Sequence, residues 1–224
     1  MLGQIISVRN SAREIKEFTI KLDAPMRVLP GQYVMVSFED RSQDRRAYSV
    51  VRYDAMSKTI TLLVKIAGAF TKKLSLMNMG DEIFVYGPFG KFILHGKKKL
   101  MFISGGIGVV PLYSMLLNLI YTKNFDEIYF YYSSQKAEDM TLKHELESLN
   151  IDNIHVKLYF TKELDCERFS VDDIKSVHEF MDYDYYICGP DKMMNEIISG
   201  LMALGISKEN IHKESYIMKS LQRK

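Results

Sequence analysis

From Leu100 to Thr122 the chain carries no charged residue, a run almost long enough to cross a bilayer as a single helix. Gly105, Gly106, Gly108 and Pro111 fall within its first half, where they would interrupt such a helix. The run therefore predicts a buried strand, a tight glycine turn and the start of an apolar helix, and no membrane span. A buried strand that feeds directly into a buried helix is how a parallel sheet covered by crossover helices begins.

The rest of the C-terminal half repeats that rhythm. Strands are expected at Leu100–Ser104, Glu127–Tyr132, Ile154–Phe160, Tyr183–Cys188 and Asn210–Tyr216, and helices at Pro111–Tyr121, Glu138–Asn150, Val171–Phe180 and Asp191–Leu204. Strands separated by helical stretches pair in parallel with right-handed crossovers, which makes this half a doubly wound α/β domain. Ser170 with Asp173 forms a helix-starting box, Pro190 suits the first turn of the last helix, and Gly205 suits its end.

Upstream of Lys97-Lys98-Lys99 the period is two rather than three to four. Strands are expected at Gln4–Arg9, Glu14–Leu22, Tyr33–Phe38, Arg46–Tyr53, Thr59–Ile66 and Glu82–Tyr86, with a short helix around Phe70–Leu76. Six such strands separated by Pro30-Gly31, Met79-Gly80-Asp81 and Gly87-Pro88 suggest a closed antiparallel six-stranded β-barrel. The expected division is a barrel domain over 1–96 and an α/β nucleotide-binding domain over 97–224, with the three lysines as a solvated linker.

Composition removes several function classes. The net charge of +2 is too balanced for a nucleic-acid partner. Cys166 and Cys188 are the only cysteines, too few for a disulfide framework or for a cysteine-ligated iron–sulfur cluster built by these residues alone. The five histidines are scattered, so no metal site is expected. Met1 to Asn10 alternates polar and apolar residues and lacks the apolar core of a signal peptide, so the expected location is cytoplasmic.

Three motifs carry chemistry. Gly105-Gly106-Ile107-Gly108-Val109-Val110-Pro111, between strand and helix, can bring backbone N–H groups and a helix N-terminus to a pyrophosphate, although its spacing is not G-x-G-x-x-G. Cys188-Gly189-Pro190 ends the fourth strand of the α/β half on the same rim, where the thiol faces a flat ring or simply fills space. In Arg46-Ala47-Tyr48-Ser49, Arg46 and Tyr48 share one face of a strand. An arginine can clamp a diphosphate, a tyrosine can cover an aromatic ring, and a serine can hydrogen-bond a ring nitrogen. Taken singly, an exposed arginine beside a core tyrosine is equally ordinary.

Together and in this order, the motifs resemble those of the ferredoxin–NADP reductase superfamily over essentially the whole chain. Further matches are Val64-Lys65 followed by Gly68-x-x-Thr71, the stretch Gly87-Pro88-Phe89-Gly90-Lys91-Phe92, and Glu214-Ser215-Tyr216. The resemblance implies that Arg46, Gly68 and Thr71 contact a flavin diphosphate, with Val64 and Lys65 beside them, that Tyr48 stacks on the flavin ring, and that Ser49 bonds near its reactive nitrogen. It implies FAD rather than FMN. Gly105, Gly106, Gly108 and Pro111 would hold the pyrophosphate of NADP or NAD. Cys188, Gly189 and Pro190 would lie near the nicotinamide, and Glu214 and Tyr216 would close the site, although this chain runs past Tyr216 to Lys224. Thr161 and Lys162 resemble a segment that meets a 2′-phosphate, which leans the donor toward NADPH. The implied activity is electron transfer from NAD(P)H to an external carrier such as ferredoxin or flavodoxin, or to a partner oxidoreductase or hydroxylase subunit. The alternatives are a reductase of free flavin or another diffusible acceptor, and a flavin-binding subunit without catalysis.

Overall fold

A computed structural model describes residues 1–163 and 168–215. Six antiparallel strands come first: β1 (Leu2–Ala12), β2 (Ile15–Leu22), β3 (Tyr33–Ser37), β4 (Arg46–Asp54), β5 (Thr59–Lys65) and β6 (Glu82–Phe89). They close in the order β1-β2-β5-β4-β3-β6. Closure leaves no unpaired edge, and the inward residues Ile5, Phe18, Ile20, Val34, Val36, Val50, Ile60, Leu62 and Val85 fill the interior. One helix, α1 (Ala69–Ser75), joins β5 to β6 and seals the barrel with Phe70 and Leu74.

Five parallel strands follow: β7 (Lys99–Gly105), β8 (Glu127–Ser134), β9 (Ile154–Phe160), β10 (Asp184–Gly189) and β11 (Ile211–Ser215), in the order β11-β10-β7-β8-β9. The chain winds outward from β7 in one direction and then from β10 in the other, so the strand order reverses between these two. Every residue of β10, and all of β7 but Lys99, is buried, as expected of central strands covered on both faces. On one face lies α2 (Val109–Thr122). On the other, Met101, Ile103, Tyr131, Tyr185 and Ile187 pack against α4 (Val171–Lys175) and α5 (Asp191–Ala203) through Ile174, Met194, Ile197 and Leu201.

The uncharged stretch therefore divides into β7, a 3-10 turn at Gly106–Gly108 and α2, and no helix among the described residues is long and apolar enough to cross a membrane. Helix α2 also joins the two halves. Its Leu112, Met115 and Leu116 share one hydrophobic core with Ile15, Val51 and Leu63 of the barrel and with Phe102 and Phe130 of the sheet. Each such fully buried side chain contributes roughly 1.5–3 kcal/mol, so the seam between the halves is built like a domain interior.

Several expectations need correction. The helix expected at Glu138–Asn150 is a 3-10 turn at Ala137–Asp139 and a five-residue α3 (Lys143–Glu147). Leu142, left-handed at φ 58°, separates the two, and its burial in the α2 core fixes it there. The helix expected at Val171–Phe180 stops at Lys175, and Glu179 is likewise left-handed. Pro190 is the N-cap residue of α5 rather than part of its first turn. The lysine linker is not simply solvated, because Lys97 pairs with Asp184 at 3.1 Å and Lys99 with Glu179 at 2.5 Å.

The local stop signals acted as their chemistry requires. Gly205, at φ 89°, donates to Met202 O and the next residue, Ile206, donates to Leu201 O, the paired bonds that close a helix at a left-handed glycine. Ser170 accepts from Asp172 N–H at 3.2 Å, while Asp173 accepts from Ser170 N–H at 2.9 Å.

Candidate functional site

Ligands of open α/β sheets sit beyond the C-terminal strand ends where the strand order reverses, here the ends of β7 and β10. These ends are in contact. A side chain at Gly189 would meet Gly105 N at 2.9 Å, and one at Gly108 would meet the carbonyl oxygen of Cys188 at 2.3 Å. A side chain at Gly105 would strike Met193 at 2.7 Å and Pro190 at 2.9 Å. Close packing of the loop on the Cys188–Pro190 turn is thus a reason for glycine at 105 and 108 besides the expected pyrophosphate cradle. Gly106 is the member that faces open space, with φ 55° and nothing within 4 Å. Pro111 is buried in the first turn of α2.

On the barrel side, Arg46, Tyr48 and Ser49 all lie on β4. The Arg46 guanidinium is 2.6 Å from Asp44 and lies 5.1 Å from the ring of Phe70, in the first turn of α1. The motif arginine and the Gly68–Thr71 turn are therefore neighbours, although 21 positions separate Arg46 from Ala67 at the turn's approach. Thr71 Oγ1 accepts from the N–H groups of Ala67 and Gly68 at 2.9 and 3.0 Å and donates to Gly68 O at 3.0 Å, which holds the turn open. Gly68 has no atom within 4 Å of a would-be Cβ. Lys65 is exposed, whereas Val64 is wholly buried in the barrel core and offers a ligand no surface, which corrects its place among the expected contacts.

The Tyr48 hydroxyl is buried and has no hydrogen-bond partner among the described residues. Burial pushes its pKa upward, so it remains a neutral donor and acceptor. A buried hydroxyl left unpaired costs about 1–3 kcal/mol, a cost that a polar group of a bound ligand removes. Ser49 is buried on the neighbouring face and pairs in register with Tyr33 of β3.

From Tyr33 the site crosses to the second domain. A side chain at Gly90 would lie 3.1 Å from the Tyr33 ring and 3.8 Å from Glu214 Oε1. Glu214 stands opposite Cys188 in the β10–β11 pairing, and its carboxylate reaches the barrel at Gly90, just past β6. Among the described residues its Oε2 is buried without a hydrogen-bond partner, and burial lifts the carboxyl pKa from 4.5 to about 7. Titratable groups shifted by burial at the mouth of a sheet are candidates for work on a ligand. Cys188 itself has no accessible surface and belongs to the α2 core with Phe102 and Tyr186. Of the two readings of its thiol, burial under α2 favours the space-filling one. Tyr216 lies outside the described residues.

Thr161 and Lys162 follow β9 and hydrogen-bond through their backbone N–H groups to Ser134 O and Gln135 O, each at 2.9 Å. Thr161 and Lys162, expected to meet a 2′-phosphate, are thus joined to the loop that follows β8. Lys162 is exposed, and the carboxylate of Glu163 accepts from Ala137 N–H at 2.7 Å. Sequence reasoning missed Tyr33 and Gly90 as the bridge between domains. The signal available was Gly90 itself, inside the glycine- and aromatic-rich stretch after β6, whose φ of 103° allows the close approach.

A closed barrel bearing Arg46-Ala47-Tyr48-Ser49, followed by a doubly wound sheet with a glycine loop at its C-terminal rim, is the make-up of an oxidoreductase with a flavin domain and a nicotinamide-dinucleotide domain. Comparison with known proteins gives the same class. Residues 3–93 match the oxidoreductase FAD-binding domain family and residues 102–198 the oxidoreductase NAD-binding domain family. The chain belongs to the ferredoxin–NADP reductase superfamily and is an oxidoreductase with FAD- and NAD-binding domains. It is 29% identical to sulfhydrogenase 2 subunit gamma of Pyrococcus furiosus, over 94% of this chain and 81% of that one. It is 25% identical to the reductase component of propane 2-monooxygenase from Mycolicibacterium goodii, over 95% of this chain and 66% of that one. Of several further curated relatives it spans between 36% and 64% of the length. A ferredoxin NADP+ reductase from Neisseria gonorrhoeae, solved with FAD and NADP, superposes with a TM-score of 0.82 at 19% identity, over 96% of this chain and 98% of that one, a likeness of fold.

Proposed function

We propose that this chain is a reductase component that draws electrons from NAD(P)H through FAD and delivers them to a separate acceptor, either a small electron carrier such as ferredoxin or flavodoxin or a partner oxidoreductase subunit. The observation that carries the reading is that each domain holds a buried polar atom with no hydrogen-bond partner among the described residues, Tyr48 Oη on the flavin-motif strand and Glu214 Oε2 on the nucleotide sheet, and that Gly90 lies close to both the Tyr33 ring and Glu214 Oε1.

When bound, the flavin supplies the chemistry that accepts two electrons from the nicotinamide and releases them to the acceptor. The chain's residues hold and orient. Arg46, beside the Gly68–Thr71 turn, is placed to neutralise a diphosphate, and Tyr48 Oη to complete its hydrogen bonding on the ligand. Gly106, with the N-terminal end of α2 behind it, presents backbone to the second nucleotide. Glu214, with a pKa of about 7, is a carboxyl that can hold or release a proton at neutral pH beside the reacting groups. The dry seam around Val51 and α2 excludes water from one side of the site.

An acceptor outside these residues is supported by a count. With two cysteines, these 224 residues cannot ligate an iron–sulfur cluster of their own. Relatives named as reductase components and as a sulfhydrogenase subunit support the same reading. The test is the visible spectrum of the purified protein before and after anaerobic addition of NADH or NADPH, followed by steady-state transfer to ferredoxin, flavodoxin and free flavin. Bleaching of a flavin spectrum and preference for a protein carrier are expected. A flavin that neither dinucleotide reduces would overturn the proposal, and transfer to free flavin alone would replace the acceptor with a diffusible one.

A further inference from the structure

The turn between β1 and β2 leaves the barrel and touches the nucleotide domain at one place. Arg13 N–H donates to Glu138 O at 2.9 Å, its Nε to Asp139 Oδ1 at 2.8 Å, and its Nη1 lies 3.0 Å from Glu138 Oε1. Beside it Ser11 Oγ lies 2.5 Å from Thr141 Oγ1, and Thr141 has no accessible surface. Ala12 and Ile15 of this hairpin share a core with Met140 and Leu142. The segment so gripped, residues 137–142, follows β8 directly.

That segment cannot hold its position by its own structure. It consists of a three-residue 3-10 turn at Ala137–Asp139, then Met140, Thr141 and a left-handed Leu142, with no α-helix until Lys143. Its other support is the Glu163 carboxylate on Ala137 N–H, and Glu163 follows the Thr161–Lys162 pair that is bonded to Ser134 and Gln135. One face of residues 133–138 is therefore tied to the residues that flank the adenosine end of the dinucleotide, and the far end is tied to the barrel. Arg13 reaches two carboxylates of this segment at once with a half-exposed guanidinium, a fork that lysine cannot reproduce.

We infer that Arg13, a residue of the flavin barrel, is a positioning residue for the adenosine half of the dinucleotide: it fixes the 137–142 segment so that Ser133–Lys136 and Thr161–Lys162 present one surface to the ribose. The inference rests on the nicotinamide-dinucleotide reading of the second domain and adds a residue that touches neither ligand. It also makes the two domains interdependent, because the position of the nucleotide surface is set in part by the barrel.

The test uses flavin-loaded wild type, Arg13→Ala and Arg13→Lys. Calorimetric titration with NAD+ and with NADP+ should show the dissociation constant raised about three- to tenfold in Arg13→Ala, the range of a coupling contact remote from the ligand. Arg13→Lys should recover part of that loss. Flavin content and kcat at saturating dinucleotide should stay at wild-type levels, with the change confined to KM. Reduction by reduced nicotinamide mononucleotide, which carries the reacting ring and lacks adenosine, should be unaffected. Unchanged dinucleotide affinity in Arg13→Ala, an equal loss with the mononucleotide, or loss of flavin would each overturn the inference. Failure of the wild type to bind either dinucleotide would overturn the reading of the domain and the inference with it.

Discussion

Replacing Glu214 with glutamine should make the folded chain more stable at alkaline pH and leave its stability nearly unchanged in acid. The carboxyl is raised from 4.5 to about 7 by burial, and its Oε2 has no hydrogen-bond partner among the described residues. At 1.36 kcal/mol per unit, the displacement corresponds to about 3 kcal/mol between the protonation states. Water reaches part of this half-buried side chain, and screening reduces the figure to about 1–2 kcal/mol. The native state holds its proton more tightly than the unfolded chain. Below the unfolded value of 4.5 both are protonated and there is no penalty, and stability is then lost as the pH climbs through about 7 and levels off above it. Glutamine, neutral and of the same shape, escapes that loss. Urea unfolding of flavin-loaded wild type and E214Q, from about pH 4 to about pH 8.5, measures the gap at each pH, with other titrations common to both proteins cancelling. A gap that does not widen between those limits would mean the carboxylate is solvated or paired in the folded protein, and the argument for its role in the site would fall with it.

Gly108→Ala and Gly106→Ala separate packing from ligand contact in the glycine loop. Gly108→Ala drives a methyl onto the Cys188 carbonyl and should lower stability by about 1–3 kcal/mol in chemical denaturation, whereas Gly106→Ala should cost about 1 kcal/mol for its left-handed backbone and act chiefly on dinucleotide affinity. Arg46→Ala should weaken flavin binding by about 1.5–3 kcal/mol with the fold intact, read as flavin occupancy after gel filtration. Lys162→Ala should lower the ratio of kcat/KM for NADPH over NADH by about two- to fivefold, the worth of an exposed charge contact, and an unchanged ratio would show that Lys162 does not meet a 2′-phosphate.

Most of the architecture was legible because each half advertises its period. Alternation of Phe18, Ile20 and Leu22 with polar neighbours fixes the wet and dry faces of β2, and the uncharged Leu100–Thr122 run can be satisfied only by elements buried on both faces. Where the reading failed, a non-local contact had overridden local propensity. Residues 138–150 have a respectable helical pattern, but Met140, Thr141 and Leu142 are drawn into the seam with the barrel, and the helix yields there. Such a constraint is written on Ser11 to Ile15, more than a hundred residues away, and no window of sequence contains both.

The same distinction divides the glycine loop. Its composition announces a phosphate-binding turn, yet composition cannot say which glycine faces a ligand and which faces a strand. The coordinates assign Gly105 and Gly108 to the strand ends and Gly106 to the open side. That assignment has a mechanical consequence. Because a side chain at Gly108 would collide with the Cys188 carbonyl and one at Gly189 with Gly105, the β7 and β10 ends are locked together, and Glu214, paired opposite Cys188, is held in a fixed relation to the loop. The glycine loop, the Cys188 turn and the strand bearing Glu214 are therefore packed as one unit. Its contacts with the barrel include the α2 seam, the Tyr33–Gly90–Glu214 approach and the Arg13 tether.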